Sequence, residues 1–184
     1  MPTTFAAPTQ KFSRKGARSA ALDSEPNIDN PEIRGFLVRH ANPSDLPAIK
    51  ALEQKSATSA HWNPEQYEHL VSASAPRSVF VIEHASNRIV LGFLVTRLIG
   101  REWEIENVVI GEQSQRRGLG TQLLAEFLKQ ARHRKAAAIF LEVRDSNLAA
   151  RALYEKLNFK AIGRRNSYYR NPEEDAVLYR LQFP

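Results

Sequence analysis

Cysteine is absent from this 184-residue chain, which excludes disulfides, thiolate metal sites and a cysteine nucleophile. Any enzymatic chemistry must therefore run on oxygen and nitrogen groups, and the absence agrees with a reducing compartment such as the cytoplasm. Histidine is sparse: His40, His61, His69, His84 and His133 are dispersed, and no two have the i, i+4 spacing that aims two imidazoles at one ion. No metal site is expected. No stretch of eighteen apolar residues occurs, and the N-terminus lacks the basic-then-hydrophobic order of a secretory signal, so neither a membrane span nor export is expected.

Acidic residues are missing before Asp23, which leaves Lys11, Arg14, Lys15 and Arg18 unopposed. Pro2, Pro8, Gly16 and Pro26 punctuate the same segment, and no apolar period runs through it. Residues 1–32 are expected to be a disordered basic tail, ahead of one domain over residues 33–184. A transit peptide is the rival assignment, but the prolines and the glycine weaken the amphipathic helix it needs. The formal charge of +6 suits an anionic partner: nucleic acid, a ribosomal surface or a phosphorylated cofactor. Charge does not choose among these.

Regular patterning begins at Ile33. A short strand over Phe36–Arg39 precedes Asn42-Pro43-Ser44-Asp45, where Asn42 can cap a helix, Pro43 fits its first turn and Asp45 complements its dipole. Leu46, Ile49 and Leu52 continue at helical spacing, and a second helix is expected after Asn63-Pro64, with Tyr67, Leu70 and Val71 on its inner face. Three Val- and Ile-rich runs, SVFVIEH, RIVLGFLVTRLIG and REWEIENVVI, read as an antiparallel meander. Leu119, Leu123, Leu124, Phe127, Leu128 and Ala131 then mark a long amphipathic helix before the strand AIFLEV, an order that implies a parallel pairing. A helix over Leu148–Leu157 and two strands, near Phe159–Arg164 and Ala176–Gln182, close the chain. The class is α/β.

QRRGLGT, residues 115–121, lies between a strand and that long helix. Gly118 and Gly120 leave room for backbone to approach a ligand, first-turn N–H groups favour an anion, and Arg116 and Arg117 add charge. A pyrophosphate cradle and a plain helix-capping turn both fit. Walker A is set aside because no Gly-Lys-Ser/Thr follows, and the dinucleotide fingerprint because Leu123 stands at its third glycine.

Two residues break the hydrophobic patterns downstream. Along IFLEVR, Ile139, Leu141 and Val143 share one face, while Phe140, Glu142 and Arg144 share the other. Glu142 is either a buried carboxylate paired with Arg144 or another cation, or a functional group. Tyr154 stands seven residues after Asn147, nearly on the same helix face, as a core-edge aromatic or a proton donor.

The segments QRRGLGT, FLEVRDSNLAARALYEKLNF and RRNSYYRNPEEDAVLY resemble the GNAT superfamily of acetyl-CoA-dependent N-acetyltransferases, and within it the RimI branch. The resemblance spans roughly residues 36–182. It implies the GNAT fold: a mixed sheet of about seven strands, mostly antiparallel with a splayed parallel pair, flanked by about four helices. It also implies acetyl-CoA as cosubstrate. The backbones of Val108, Val109 and Ile110 would bind its pantetheine arm, Arg116, Arg117, Gly118, Leu119, Gly120 and Thr121 its pyrophosphate, and Asn147 its pantetheine chain. Glu142 takes the family's general-base position and Tyr154 its general-acid position. Thr58–Tyr67 with Trp62, and a Ser167-Tyr168-Tyr169 loop, are where the family would hold the acceptor, with Glu173, Glu174 and Asp175 available to a basic peptide. The branch acts on the N-terminal alanine of a small-subunit ribosomal protein, so a protein N-terminus is the expected partner.

Chemistry supports those residue types. Acyl transfer to an amine needs a base for the amine proton and an acid for the leaving thiolate. At pH 7 a chain-terminal amine is neutral on the order of a few hundred times more often than a lysine, which suits a modest base, although lysine or a small amine stays open as acceptor. Glu104 and Glu106 are rival bases, or else members of a solvated strand face. Asn158 stands where the family has glycine, and it tolerates the left-handed turn needed there. A second class of function would be a basic RNA- or ribosome-binding module using Lys129, Arg132, Arg134 and Lys135 with Arg164 and Arg165. Direct nucleic-acid binding is the less favoured of the two, because a cationic helix end also complements its dipole.

Overall fold

A computed structural model of the chain describes residues 35–56, 67, 70, 71 and 77–184. The tail expected over residues 1–32 lies outside them, as do Trp62 and the start of the second helix. Of that helix Tyr67 is described as helical, and Tyr67 and Leu70 are buried.

The chain opens with β1 (Phe36–His40) and turns at Asn42. The Asn42 side chain accepts from Ser44 N–H while Asp45 accepts from Asn42 N–H, a reciprocal cap that starts α1 (Leu46–Lys55) after one 3-10 turn. The meander follows as β2 (Arg77–His84), β3 (Val90–Ile99) and β4 (Glu102–Ile110). After it come α2 (Leu119–His133), β5 (Ala138–Arg144), α3 (Leu148–Lys156), β6 (Lys160–Arg170) and β7 (Glu173–Gln182). The described residues hold three α-helices against the four expected.

One seven-stranded sheet runs β1-β2-β3-β4-β5-β7-β6. Every pairing is antiparallel except β4 with β5, because the α2 crossover returns the chain in the same direction. One face packs under α2 and α3, with Leu123, Phe127, Leu141 and Phe159 in its core. The other packs Ile49 of α1 and Leu70 against Val79, Phe93 and Val109. Asn158 ends the helical turn after α3 with φ 66°, the left-handed conformation that the glycine-to-Asn exchange required.

The parallel pair is short. Register runs from Glu102 opposite Ala138 to Ile105 opposite Leu141 and stops there, although β4 stays paired with β3 as far as Ile110 and β5 with β7 as far as Arg144. The register of β3 and β4 slips between Val95 and Thr96, which leaves Glu106 as an extra residue on β4. Such a bulge sharpens the local twist. It swings the end of β4 away from β5 and opens the sheet beyond Leu141.

Candidate active site

The split in the sheet has a carboxylate on each bank. Glu106 is the first residue of β4 past the last parallel pair, and Glu142 is the first of β5. Backbone polar groups line the β4 bank. Gly111 N–H donates to Leu91 C=O at 2.8 Å, and the alternation along an antiparallel ladder then turns Val109 toward β3 and Val108 and Ile110 toward the gap. Two of the three residues expected to offer backbone bonds thus face the opening, and Val109 spends its own on β3.

At the end of β4 the chain turns through Gly111–Gln115 into α2. Arg116 and Gly118 both have positive φ, 58° and 76°, and Gly118 precedes the helix with no side-chain cap on its first turn. The first helical bond runs from Gln122 N–H to Gly118 C=O, so the N–H groups of the preceding turn point out of the helix end. A Cβ on Gly120 would approach Leu153 Cδ2 to 3.1 Å, so this glycine also sets how closely α2 packs on α3. Arg117 stacks over Phe36 at 5.0 Å. Asn147 caps α3 by accepting from Ala150 N–H at 3.1 Å, which commits its oxygen and leaves its NH2 available.

Tyr154 is 6% exposed on α3, with ring centroids of Phe159 and Tyr179 at 5.8 and 6.1 Å. Burial, and secondly Tyr169 nearby, push its phenol above the ordinary tyrosine range. Among the described residues its hydroxyl has no hydrogen bond, unlike Tyr179, which donates to Glu155 at 2.6 Å.

Glu142 is half-buried rather than buried, and of the cations left open as its partner the one present is Arg165 on β6, 3.1 Å away. Arg144 instead pairs with Glu174 at 3.2 Å and stacks over Tyr169 at 4.1 Å. Ser167, Tyr168 and Tyr169 were expected in a loop, yet they belong to β6 and sit where its register with β7 slips between Arg165 and Tyr169. The irregularity brings both tyrosines to Glu142. Burial and then the neighbouring Glu142 push the Tyr168 phenol up to about 12, and the same two causes raise Tyr169. Tyr169 is thus an electrostatic neighbour of Glu142, and Tyr154 on α3 has Tyr169 as its own charged-form neighbour.

The hairpin acids are engaged within the fold. Glu174 accepts from Ser146 N–H, Asp175 from Ser167 N–H and Glu173 from Ser167 Oγ. Glu106 is bound by Arg77 at 2.5 and 3.1 Å, with Arg97 at 3.4 Å, and Glu104 by Arg97 at 2.6 Å. Glu104 and Glu106 therefore belong to an ion-pair ladder rather than to a plain solvated face. The cations Lys129, Arg132, Arg134 and Lys135 are exposed at the far end of α2 from the cradle, about 20 Å away along its axis. Arg164 is held by Asp145 at 2.8 Å. Sequence reasoning placed Arg165 with that basic group and missed its contact with Glu142, which is set by pairing through β7.

The split parallel pair has an uncapped helix start at its mouth, and the acetyltransferase (GNAT) family model matches residues 46–159. The chain belongs to the GNAT family. The ribosomal protein bS18-alanine N-acetyltransferase of Escherichia coli (strain K12) is 33% identical over 140 residues, covering 75% of this chain and 91% of that protein. The crystal structure of the ribosomal-protein-S18-alanine N-acetyltransferase from Escherichia coli superposes with TM-score 0.71 at 29% identity, covering 80% of this chain and 93% of that one. Arabidopsis thaliana NAA60 in complex with acetyl-CoA shares the fold alone, with TM-score 0.73 at 16% identity over 80% of this chain and 98% of that one. Among the described residues no helix is long and apolar enough to cross a membrane.

Proposed function

We propose that the protein is a cytoplasmic acetyl-CoA-dependent N-acetyltransferase acting on the α-amine of a protein N-terminus, that of a small-subunit ribosomal protein beginning with alanine. One observation carries the reading. The sheet opens directly beside Glu142, with the uncapped start of α2 following one bank and α3, which carries a buried phenol with no hydrogen bond among the described residues, following the other. The activity for which the Escherichia coli relative is named supports the choice of acceptor.

The residues fit the cosubstrate. Outward N–H groups around Gly118 to Thr121, with Arg116 and Arg117 beside them, suit a pyrophosphate. Val108 and Ile110 present backbone groups to a pantetheine amide chain, and the NH2 of Asn147 adds a donor. When bound, acetyl-CoA supplies an acyl thioester. Glu142 receives a proton from the acceptor ammonium, the freed amine forms the new C–N bond, and Tyr154 gives its proton to the sulfur as the C–S bond breaks. A second amine proton leaves to solvent, and as the site resets Glu142 gives up its proton while the Tyr154 phenolate regains one, so one proton is released for each amide formed. No covalent enzyme intermediate is needed.

Gly118→Val tests the cradle. A β-branched residue at φ 76° is strained by roughly 1–2 kcal/mol, so the KM for acetyl-CoA is expected to rise about tenfold while kcat changes less. An unchanged KM would remove the cradle. The acceptor is tested by offering acetyl-CoA with peptides that begin with free Ala, Ser or Met, beside N-blocked lysine peptides and small amines. Product is expected at the free N-terminus, with Ala first. Acetylation confined to the blocked lysine peptides or the small amines would overturn the reading. Strongly salt-dependent RNA binding with no acetyl-CoA binding would replace it with the binding-module alternative.

A further inference from the structure

Glu142, the proposed base, is already occupied by a cation. Arg165 Nη1 lies 3.1 Å from its Oε1, and the same guanidinium stands 5.4 Å from the ring centroid of Tyr168. Arg165 is lightly held. Among the described residues Glu142 is its one ion-pair partner, and its side chain is 44% exposed. Arg164, next to it, makes two hydrogen bonds to Asp145, and Arg144 is fixed by Glu174 and by the carbonyls of Asn171 and Pro172. A half-exposed pair of this kind is worth little in water and is easily exchanged.

A protein N-terminus at neutral pH is mostly an ammonium. To give a proton to Glu142 it must approach the carboxylate whose Oε1 Arg165 engages, and it brings the same charge and the same kind of donors. We propose that Arg165 is a displaceable stand-in for the acceptor ammonium. It holds and orients the Glu142 carboxylate while the acceptor site is empty, gives way to the incoming α-ammonium, and returns once acetylation has made the nitrogen a neutral amide. The product cannot compete for Glu142 as the substrate did, so the exchange admits cationic acceptors and expels their amides. Arg165 is in this sense a positioning residue, and the proposal rests on the reading of Glu142 as base. The Tyr168 ring lies beside the guanidinium of Arg165, whereas Arg144 is stacked closely on Tyr169.

The test is a titration of an Ala-initiated peptide into the full-length enzyme saturated with CoA, which permits binding without turnover. Arg165→Gln is expected to tighten the peptide about threefold to fivefold, the scale of a half-exposed ion pair. Steady-state KM for the peptide should fall by the same factor with the KM for acetyl-CoA unchanged, and Arg165→Lys should restore the wild-type constants. The N-acetylated form of the peptide should bind Arg165→Gln and wild type equally, a distinction that a merely structural residue would not produce. In a Glu142→Gln background the effect should vanish. Weaker or unchanged binding of the free peptide, or an equal shift for the acetylated one, overturns the displacement. If Glu142→Gln abolishes turnover while Arg165→Gln changes nothing, only the displacement falls. If Glu142→Gln retains full turnover, the base assignment falls and takes the displacement with it.

Discussion

Glu142→Gln is expected to lower kcat by at least about a hundredfold, the lower bound of what a positioned proton acceptor contributes, with the KM for acetyl-CoA held within about twofold. The exchange keeps the volume of the side chain and removes its capacity to take a proton. Because Glu142 is half-buried and has a single cationic partner, the fold should tolerate the change. Glu106→Gln is the matched control. Glu106 stands on the opposite bank of the same split, so proximity does not separate the two, but its carboxylate is bound through both oxygens by Arg77 and approached by Arg97. An acceptor that reached it would have to displace two guanidinium groups from a ladder spanning β2, β3 and β4. Glu106→Gln should therefore change kcat less than about threefold and lower the thermal midpoint by about 3–6 °C, the scale of a lost charged hydrogen bond in a domain of this size. The reverse pattern, with turnover lost in Glu106→Gln and kept in Glu142→Gln, would move the base to β4.

The contrast between the two carboxylates also marks where sequence stops being informative. Period-two alternation placed Glu142 on the face away from Leu141 and Val143, and helical spacing placed Tyr154 on nearly the same face as Asn147; both patterns depend on neighbours within one element. The seven strands and the parallel crossover were legible for the same reason, since turns and apolar periods are local signals. Which cation meets which carboxylate is a matter of register between strands distant in sequence. Glu142 meets Arg165 because β5 and β6 pair through β7, with Leu178 opposite both Glu142 and Gly163. Spacing along β5 could offer only Arg144, which the structure assigns to Glu174. The slips in register are equally hidden. One in β4 opens the sheet, and one in β6 brings Tyr168 and Tyr169 to Glu142, while both segments look in sequence like an ordinary strand and an ordinary loop. Asn158 shows the opposite case: standing at the glycine position of the family it resembles, a residue type tolerant of positive φ agreed with the left-handed turn found after α3.

Tyr154→Phe is expected to lower kcat about a hundredfold to ten-thousandfold, and its design separates chemistry from packing. The exchange removes one oxygen and keeps the ring between Phe159 and Tyr179, and no hydrogen bond among the described residues is lost with it. Stability near neutral pH should therefore hold. Burial raises the phenol above its usual value near 10, so the neutral, donating form persists as pH climbs through that value, and loss of the Tyr154 proton should not depress kcat between pH 8 and 10. The same shift carries a stability sign. A folded-state value above the unfolded one leaves stability intact below about pH 10 and erodes it above, as the unfolded chain ionises first. Wild type should thus lose stability relative to Tyr154→Phe in urea titrations above pH 10, and not below. The decisive comparison varies the leaving group. A thioester whose thiol is more acidic departs as thiolate without needing a proton, so a cosubstrate analogue with such a thiol should shrink the Tyr154→Phe defect toward unity if Tyr154 is the acid. A defect of constant size with both thiols would mean that the hydroxyl serves the acceptor or the fold, and the leaving sulfur would then take its proton from another donor.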